Sequence, residues 1–213
     1  LAEVLTTGFD LEAIGSNFRK WLYENYWTPH GEVFDSGNAT RAALQRLKKG
    51  VPPEEAGGQG ERDNGNGALM RILPLVFYTK DMPIGERFDI TRRVSSITHA
   101  HIRSVISCFY YLEFALAILE EKEKFSIYEA LQQSVPAFLG SAGIDPAEIR
   151  MFDRLLNGMI YELPENQVRS TGYVVDTLEA ATWCLLTTTS YKEAVLKAVN
   201  LGEDQQILYI VQS

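Results

Sequence analysis

Apolar residues recur at helical spacing along most of the chain, and no stretch shows the strict alternation of a half-buried strand. The longest apolar run extends over 99–122, and its density predicts a central buried helix. Shorter helices are predicted over 11–26, 38–49, 68–78, 88–96 and 126–139. The pattern therefore indicates an all-α protein, a compact globule of many short and medium helices that forms one domain over 1–213.

Capping residues predict where several of these helices begin. Asp10 is suited to cap the helix over 11–26, because its side chain can accept a hydrogen bond from an unpaired backbone N–H. Pro74 is expected to kink the helix over 68–78, because proline removes one backbone hydrogen bond. Three further capping signals predict helices over 145–157, 176–186 and 190–200.

Composition narrows the class of protein. Hydrophobic residues make up 46% of the 213 residues and charged residues 23%, which is ordinary for a globular domain. The net charge of −8 disfavours a nucleic-acid surface. The longest apolar stretch, 105–119, is interrupted by Glu113, so no membrane span is expected. Cys108 and Cys184 lie in apolar stretches and indicate buried free thiols in the cytoplasm, with a single disulfide as the alternative.

The stretch 57–75 contains five of the chain's 16 glycines and runs directly into an apolar helical segment. Glycine lets backbone N–H groups approach a ligand closely, and a helix start offers unpaired donors, which favours an anion or phosphate site. An ordinary glycine-rich turn is the alternative, because neither GxGxxG nor GxxxxGK[ST] is present. His99 is expected at a helix start, where it could hydrogen-bond a phosphate, whereas His101 is interpreted as structural.

Four other side chains are candidates for contacts with a sugar or a base. Asp35 and Asn38 either cap a helix or point a carboxylate and an amide at sugar hydroxyls. Glu61 is either a solvated loop charge or a neighbour of a ribose hydroxyl or a metal-linked water. Tyr173 is either a core residue or an aromatic surface that packs against a nucleoside.

Four segments resemble the motifs of the ADP-ribosylglycohydrolase family, in the family's order. They are FDSGNATRAAL over 34–44, NGNGALMR over 64–71, THAH over 98–101 and GYVVDTLEA over 172–180. The resemblance implies an all-α hydrolase that cleaves the glycosidic bond between ADP-ribose and a modified side chain, or a related ADP-ribosyl compound. Its partner would be an ADP-ribosylated protein or a small ADP-ribosyl substrate, with no nucleic acid and no membrane.

The resemblance also implies roles for individual residues. Asp35 would be catalytic and would lie with Asn38 beside the ribose near the scissile bond. The loop of Asn64, Gly65, Asn66 and Gly67 would hold the diphosphate together with His99. Tyr173 would line the nucleoside end of the site.

The resemblance fails at the family's pair of Mg²⁺ ions. The family's N-terminal Thr-Asp-Asp ligands are absent, and of its Gly-Asp-Thr-Asp-Thr segment only Asp204 remains, before Gln205 and Gln206. Two Mg²⁺ ions need several oxygen ligands at once. We therefore expect a chain that is incomplete at its N-terminus and broken between 204 and 205. The alternative is a family member that has lost its metals, either a non-catalytic binder of ADP-ribose or nucleotides or a crystallin-like structural protein.

Overall fold

The computed structural model describes residues 1–33 and 35–202, which form twelve α-helices and four short 3₁₀ helices. The α-helices are α1 (Ala2–Leu5), α2 (Leu11–Glu24), α3 (Asn38–Lys48), α4 (Pro53–Ala56), α5 (Leu75–Thr79), α6 (Ile84–Ser96), α7 (Ile102–Leu119), α8 (Lys124–Ser141), α9 (Pro146–Arg150), α10 (Asp153–Leu156), α11 (Val174–Leu186) and α12 (Tyr191–Asn200). The 3₁₀ helices are Glu61–Asp63, Leu69–Arg71, Ile160–Glu162 and Glu165–Gln167. Within the described residues there is no strand, so the all-α prediction is confirmed.

Three of the capping predictions are confirmed. Asp10 Oδ1 accepts a hydrogen bond from Ala13 N at 2.9 Å and begins α2. Asp145 accepts from the backbone at the start of α9, and Ser190 does so at the start of α12. These side chains satisfy N–H groups that the first helical turn leaves unpaired, which explains why the sequence located these helix starts well.

Two predicted helices are each divided into two shorter ones. The segment over 68–78 forms the 3₁₀ helix Leu69–Arg71 and then α5, because Pro74 cannot continue a hydrogen-bonded helix. The segment over 145–157 forms α9 and α10, and Phe152 lies fully buried at the bend between them. Burial of an aromatic ring here outweighs the local preference for one continuous helix.

Three helix starts were predicted at the wrong residues, one of them that of α6, which begins at Ile84 instead of at 88. Helix α11 begins at Val174, and the Asp176 carboxylate accepts from Thr171 Oγ1 at 2.7 Å instead of capping the helix. Helix α7 begins at Ile102, so His99 precedes the helix. The backbone of His99 instead forms an isolated parallel bridge with Gly58, a contact between distant parts of the chain that local patterns do not report.

The chain divides into two compact units, Leu1–Phe109 and Tyr110–Ser213, with the boundary inside α7. The core of the first unit contains Ile14, Leu44, Leu69, Ile72, Leu75, Ile97 and Ile106. In the second unit the largest fully buried side chains are Tyr110, Ile127, Tyr128 and Phe152. Cys108 and Cys184 are buried free thiols, as the sequence indicated.

Helix α7 is the most apolar of the long helices. Its 18 residues have a mean hydropathy of 1.6, which is long and apolar enough to cross a membrane, so the expectation that no segment reaches this length and apolarity is wrong. However, 61% of the helix is buried inside the protein, and the core helices of globular proteins pass the same test of length and composition. Length and hydropathy are therefore weak evidence for a membrane span here.

Candidate functional site

The glycine-rich segment of the first unit lies directly against the backbone that follows α6. Gly57 N donates to Ser96 O at 2.8 Å, and Ala100 N donates to Gly58 O at 2.9 Å. A Cβ atom on Gly57 would lie 2.3 Å from Ser96 O, a distance that no side chain tolerates. Glycine is therefore required at this position for the two backbones to approach.

The polar side chains of the loop hold it in a defined shape. Asp63 Oδ2 accepts from Gly60 N at 3.1 Å. Asn64 is buried, and its amide donates to Glu61 O at 3.2 Å while its carbonyl oxygen accepts from Ser104 Oγ at 3.1 Å. The carboxamide of Asn64, predicted to bind substrate, thus holds the loop to the start of α7.

The ring of His99 packs against the end of this loop. His99 Nε2 lies 3.6 Å from where a Cβ on Gly65 would be and 3.5 Å from where one on Gly67 would be. A Cβ on Gly67 would also lie 3.0 Å from His99 Cε1 and 3.2 Å from Thr40 Oγ1, in the first turn of α3. Asn66, between the two glycines, is buried. The loop, His99 and the start of α3 therefore meet at one place.

Arg71 lies behind the loop and supports it. Its Nη1 donates to Gly67 O at 2.6 Å, its Nη2 donates to Thr98 Oγ1 at 2.5 Å, and its guanidinium lies 4.8 Å from the centre of the Phe18 ring. Burial lowers the pKa of Arg71 to about 10, so the group keeps its positive charge near neutral pH. A cation is thus fixed beside the glycine loop.

His99 is neutral in this environment. Burial, together with the nearby charge of Arg71, lowers the pKa of His99 to about 3. Only 2% of the residue is exposed, and Thr98 Oγ1 lies 2.7 Å from its Nδ1. A neutral imidazole carries one N–H donor and one acceptor, so His99 can offer a single hydrogen bond without a charge.

Asp35, Asn38 and Glu61 are exposed, unlike Asn64 and Asn66 of the loop. Asp35 lies three residues before the start of α3, and Asn38 is the first residue of that helix. The Glu61 side chain is 77% exposed and pairs with Arg103 Nη2 at 3.3 Å. His101 Nδ1 accepts from Arg103 N at 3.2 Å, a contact in keeping with its interpretation as structural.

The other two candidates lie in other parts of the chain. Tyr173 belongs to the second unit, where it precedes α11 and its backbone N–H donates to Thr171 Oγ1 at 3.2 Å. Asp204 and the expected break between 204 and 205 lie outside the described residues. The role of Asp204 as a metal ligand and the break between 204 and 205 therefore stay predictions.

The part of the chain that the structure describes contains no cluster of three or more metal-ligating side chains. Within residues 1–33 and 35–202, no three His, Cys, Asp or Glu side chains converge on one point. A pair of Mg²⁺ ions held by several carboxylates at once, as in the family, would therefore need ligands besides these residues.

Three residues of this site received no ligand or support role from the sequence. Arg71 belongs to the NGNGALMR segment, and its spacing of four residues from Gly67 could have indicated a contact within one helical turn. Thr40 and Ser104 reach the loop from α3 and α7. Because those contacts join distant parts of the chain, spacing gives no signal for them.

Comparison with known proteins places this site in a family context. The model of the ADP-ribosylglycohydrolase family matches residues 1–207. The ADP-ribosylarginine hydrolase Tri1 of Serratia proteamaculans (strain 568) is 31% identical over 200 residues, and that of Pseudomonas putida (strain GB-1) is 29% identical over 204 residues. Each alignment covers 92% of this chain and 49% of the relative.

A solved structure shares the fold. The "ADP-ribosylglycohydrolase-related protein complex" superposes with a TM-score of 0.74 at 28% identity, and the match covers 99% of this chain and 64% of that chain. This chain therefore spans about half the length of the curated relatives that it matches. The family match extends over nearly the whole chain, and the protein belongs to the ADP-ribosylglycohydrolase family.

Proposed function

We propose that this protein binds the diphosphate of an ADP-ribosyl group with the loop over 64–67 and His99, as part of a hydrolase of ADP-ribosyl linkages. The observation that carries the proposal is the packing of His99 Nε2 against Gly65 and Gly67, where the absence of Cβ atoms leaves the ring nitrogen close to the backbone. A diphosphate offers several acceptor oxygens to the donors of such a loop.

The charge distribution around the loop supports an anionic ligand. Arg71 holds the Gly67 carbonyl oxygen and so places a positive charge directly behind the loop. A cation in partly buried surroundings acts on a nearby anion more strongly than a solvated one, because water screens it less. Arg71 would therefore favour a phosphate in front of the loop without contacting it.

Family membership and relatives suggest the chemistry of the substrate. The two curated relatives carry names that describe hydrolysis of ADP-ribosylarginine. We propose ADP-ribosylated arginine as the first substrate to test, with Tyr173 at the nucleoside end and Glu61 beside a ribose hydroxyl.

Asp35 is the proposed catalytic carboxylate, with Asn38 beside the sugar. Asp35 leads into α3, and Thr40 in the first turn of that helix lies beside Gly67. A carboxylate near the anomeric carbon would stabilise an oxocarbenium-like transition state electrostatically. We expect Asp35→Asn to lower the rate of hydrolysis by about 100-fold while changing the affinity for ADP-ribose little, as measured by turnover and by calorimetry.

Magnesium assistance is a separate part of the proposal. Bound Mg²⁺ supplies a Lewis acid and an activated water. We propose Asp204 as one ligand of the ion. The second candidate function is a protein that binds ADP-ribose but does not hydrolyse it, since the loop over 64–67 and His99 need no metal to hold a diphosphate.

Calorimetry with ADP-ribose, with and without Mg²⁺, tests the proposal, followed by an assay with an ADP-ribosylated arginine peptide. Binding with Mg²⁺-dependent turnover would support the hydrolase, and Mg²⁺-indifferent binding without turnover would support the non-catalytic binder. Absence of any binding would contradict both and leave a structural role for the fold.

A pair of glycine variants tests whether ADP-ribose binds at this loop. In Gly67→Ala the new Cβ meets the ring of His99 and Thr40 Oγ1, so we expect ADP-ribose affinity to fall by about tenfold. Gly85→Ala is the matched control, because a Cβ there has no atom within 4 Å. Equal affinity in the two variants would show that ADP-ribose does not bind at this loop.

A further inference from the structure

The Nδ1 edge of the His99 ring is held by two polar groups in series, the Thr98 hydroxyl and the Arg71 guanidinium. Arg71 Nη2 donates to Thr98 Oγ1 at 2.5 Å, and Thr98 Oγ1 lies 2.7 Å from His99 Nδ1. The backbone of His99 is fixed as well, since its N–H donates to Ser95 O at 2.8 Å and its carbonyl oxygen accepts from Ser95 Oγ at 2.9 Å. The ring is thus anchored on the side away from the glycine loop.

The direction of the hydrogen bond between Thr98 and His99 follows from what each group can do. A guanidinium only donates, so Arg71 occupies one lone pair of the Thr98 hydroxyl. If His99 Nδ1 carried a proton, Thr98 would accept twice and its own buried proton would need another acceptor. Among the described residues, the hydrogen bonds of Thr98 Oγ1 are those with Arg71 and His99. The hydroxyl proton therefore belongs to the bond with Nδ1, because buried donors are rarely left unpaired.

We propose that Thr98 is a positioning residue that fixes His99 as the neutral tautomer with its proton on Nε2, directed at the loop of Gly65 and Gly67. The positive charge of Arg71 polarises the Thr98 hydroxyl and strengthens its donation to Nδ1. It also disfavours a second positive charge on the imidazole, in agreement with the lowered pKa of His99. His99 then presents one N–H donor, of fixed direction, beside the loop.

This tautomer deepens the proposed function, on which its link to the ligand rests. An Nε2–H group offers a phosphate oxygen a hydrogen bond, whereas the other tautomer would present a lone pair to an anion and repel it. Arg71 thus acts through Thr98 to orient His99, so that an uncharged N–H donor faces the ligand. The spacing of these residues in the sequence does not reveal this arrangement, because Arg71 and Thr98 lie far apart along the chain.

Nitrogen-15 NMR of the histidine rings tests the tautomer directly in the wild-type protein. The chain has three histidines, so the signals of His99 can be assigned with the variants His30→Asn and His101→Asn. We expect a protonated, pyrrole-type Nε2 and an unprotonated, pyridine-type Nδ1 at neutral pH. A proton on Nδ1, or a charged ring at neutral pH, would overturn the proposal.

Variants of Thr98 test its role as the positioning residue. Thr98→Val removes the hydroxyl, and we expect a mixture of His99 tautomers and ADP-ribose affinity that is lower by roughly tenfold. Thr98→Ser keeps the hydroxyl and should restore both. Thr91→Val is the control, because it removes a buried hydroxyl that donates to Arg87 O at 2.7 Å.

The outcomes separate this inference from the proposed function. A wild-type tautomer that persists in Thr98→Val would overturn the role of Thr98. An Nε2–H tautomer that depends on Thr98, in a protein that does not bind ADP-ribose, would support the positioning role and contradict the proposed function. Binding of ADP-ribose by a protein in which His99 is protonated on Nδ1 would contradict the positioning role and support the proposed function.

Discussion

In each unit a buried titratable side chain lies near an arginine, whose charge adds to the effect of burial on the pKa of His99 and opposes it for Glu179. In the first unit His99 lies near Arg71, and both burial and that charge lower its pKa, to about 3. In the second unit burial raises the pKa of Glu179 to about 7, although Arg154 Nη1 lies 3.3 Å from Glu179 Oε2 and opposes the change. Burial favours the neutral form of both groups.

His99 and Glu179 therefore change their charge at different pH values. His99 stays neutral over the whole physiological range, so the first unit presents the same donor at every working pH. Glu179 changes its charge close to neutrality. Two smaller effects act on its pKa in opposite directions, since Asp176 raises it and Arg169 lowers it. The charge of His99 in the first unit is thus independent of pH near neutrality, whereas the charge of Glu179 in the second unit depends on it.

The largest expected effect tests whether the first unit depends on close backbone contact. Gly57→Ala places a Cβ 2.3 Å from Ser96 O and 2.8 Å from the backbone nitrogens of His99 and Ala100. Since these are backbone atoms that cannot rotate away, we expect a loss of about 3 kcal/mol in the free energy of unfolding, measured by urea denaturation. Gly85→Ala, with open space around its Cβ, should not destabilise the protein. Equal stability of the two variants would contradict the backbone packing described here.

The next effect tests the pH response of the second unit. Unfolded Glu179 releases its proton near its ordinary pKa of 4.5, whereas the folded protein keeps it up to about 7. The unfolded state then binds fewer protons in this window, so stability falls as pH rises through it, by about 3 kcal/mol in total. Glu179→Gln should lack this decline. Parallel pH profiles of unfolding for the wild type and Glu179→Gln would show that Glu179 does not titrate in this window.

A smaller effect tests the opposing charge of Arg154. Arg154→Met removes the cation that stabilises ionised Glu179, so the decline in stability still begins near 4.5 but should continue to a higher pH than in the wild type. The Arg154 side chain is 35% exposed, and we expect a change of about 1 kcal/mol or less at mildly alkaline pH. Urea denaturation across the same pH range measures it. A profile that moves to lower pH would contradict the assignment of Arg154 as the opposing charge.

Local signals in the sequence were enough for the fold class and for many helix boundaries. Asp10, Asp145 and Ser190 all cap helices as expected, because a cap depends on residues two or three positions away. The start of α11 was placed too late, because the turn before it is organised by Thr171 instead of by the Asp176 capping signal.

The candidate site was only partly accessible to sequence reasoning. The glycine loop and His99 were selected together, and the structure places His99 beside Gly65 and Gly67. The bridge between Gly58 and His99 could not be inferred, because it joins segments about 40 residues apart. The spacing of Arg71 from Gly67 is a local signal for one of its contacts, whereas its contact with the Thr98 hydroxyl joins distant residues and gives no such signal.

The most direct test of a neutral histidine beside a diphosphate-binding glycine loop is the NMR signal of the His99 ring during a titration with ADP-ribose. The account predicts that the His99 signal moves as ADP-ribose binds, keeps the pattern of a neutral ring and does not titrate near its ordinary pKa of 6.5, whereas that of exposed His30 hardly changes. Saturable binding of ADP-ribose that leaves His99 unchanged, or a free His99 that titrates near 6.5, would contradict it.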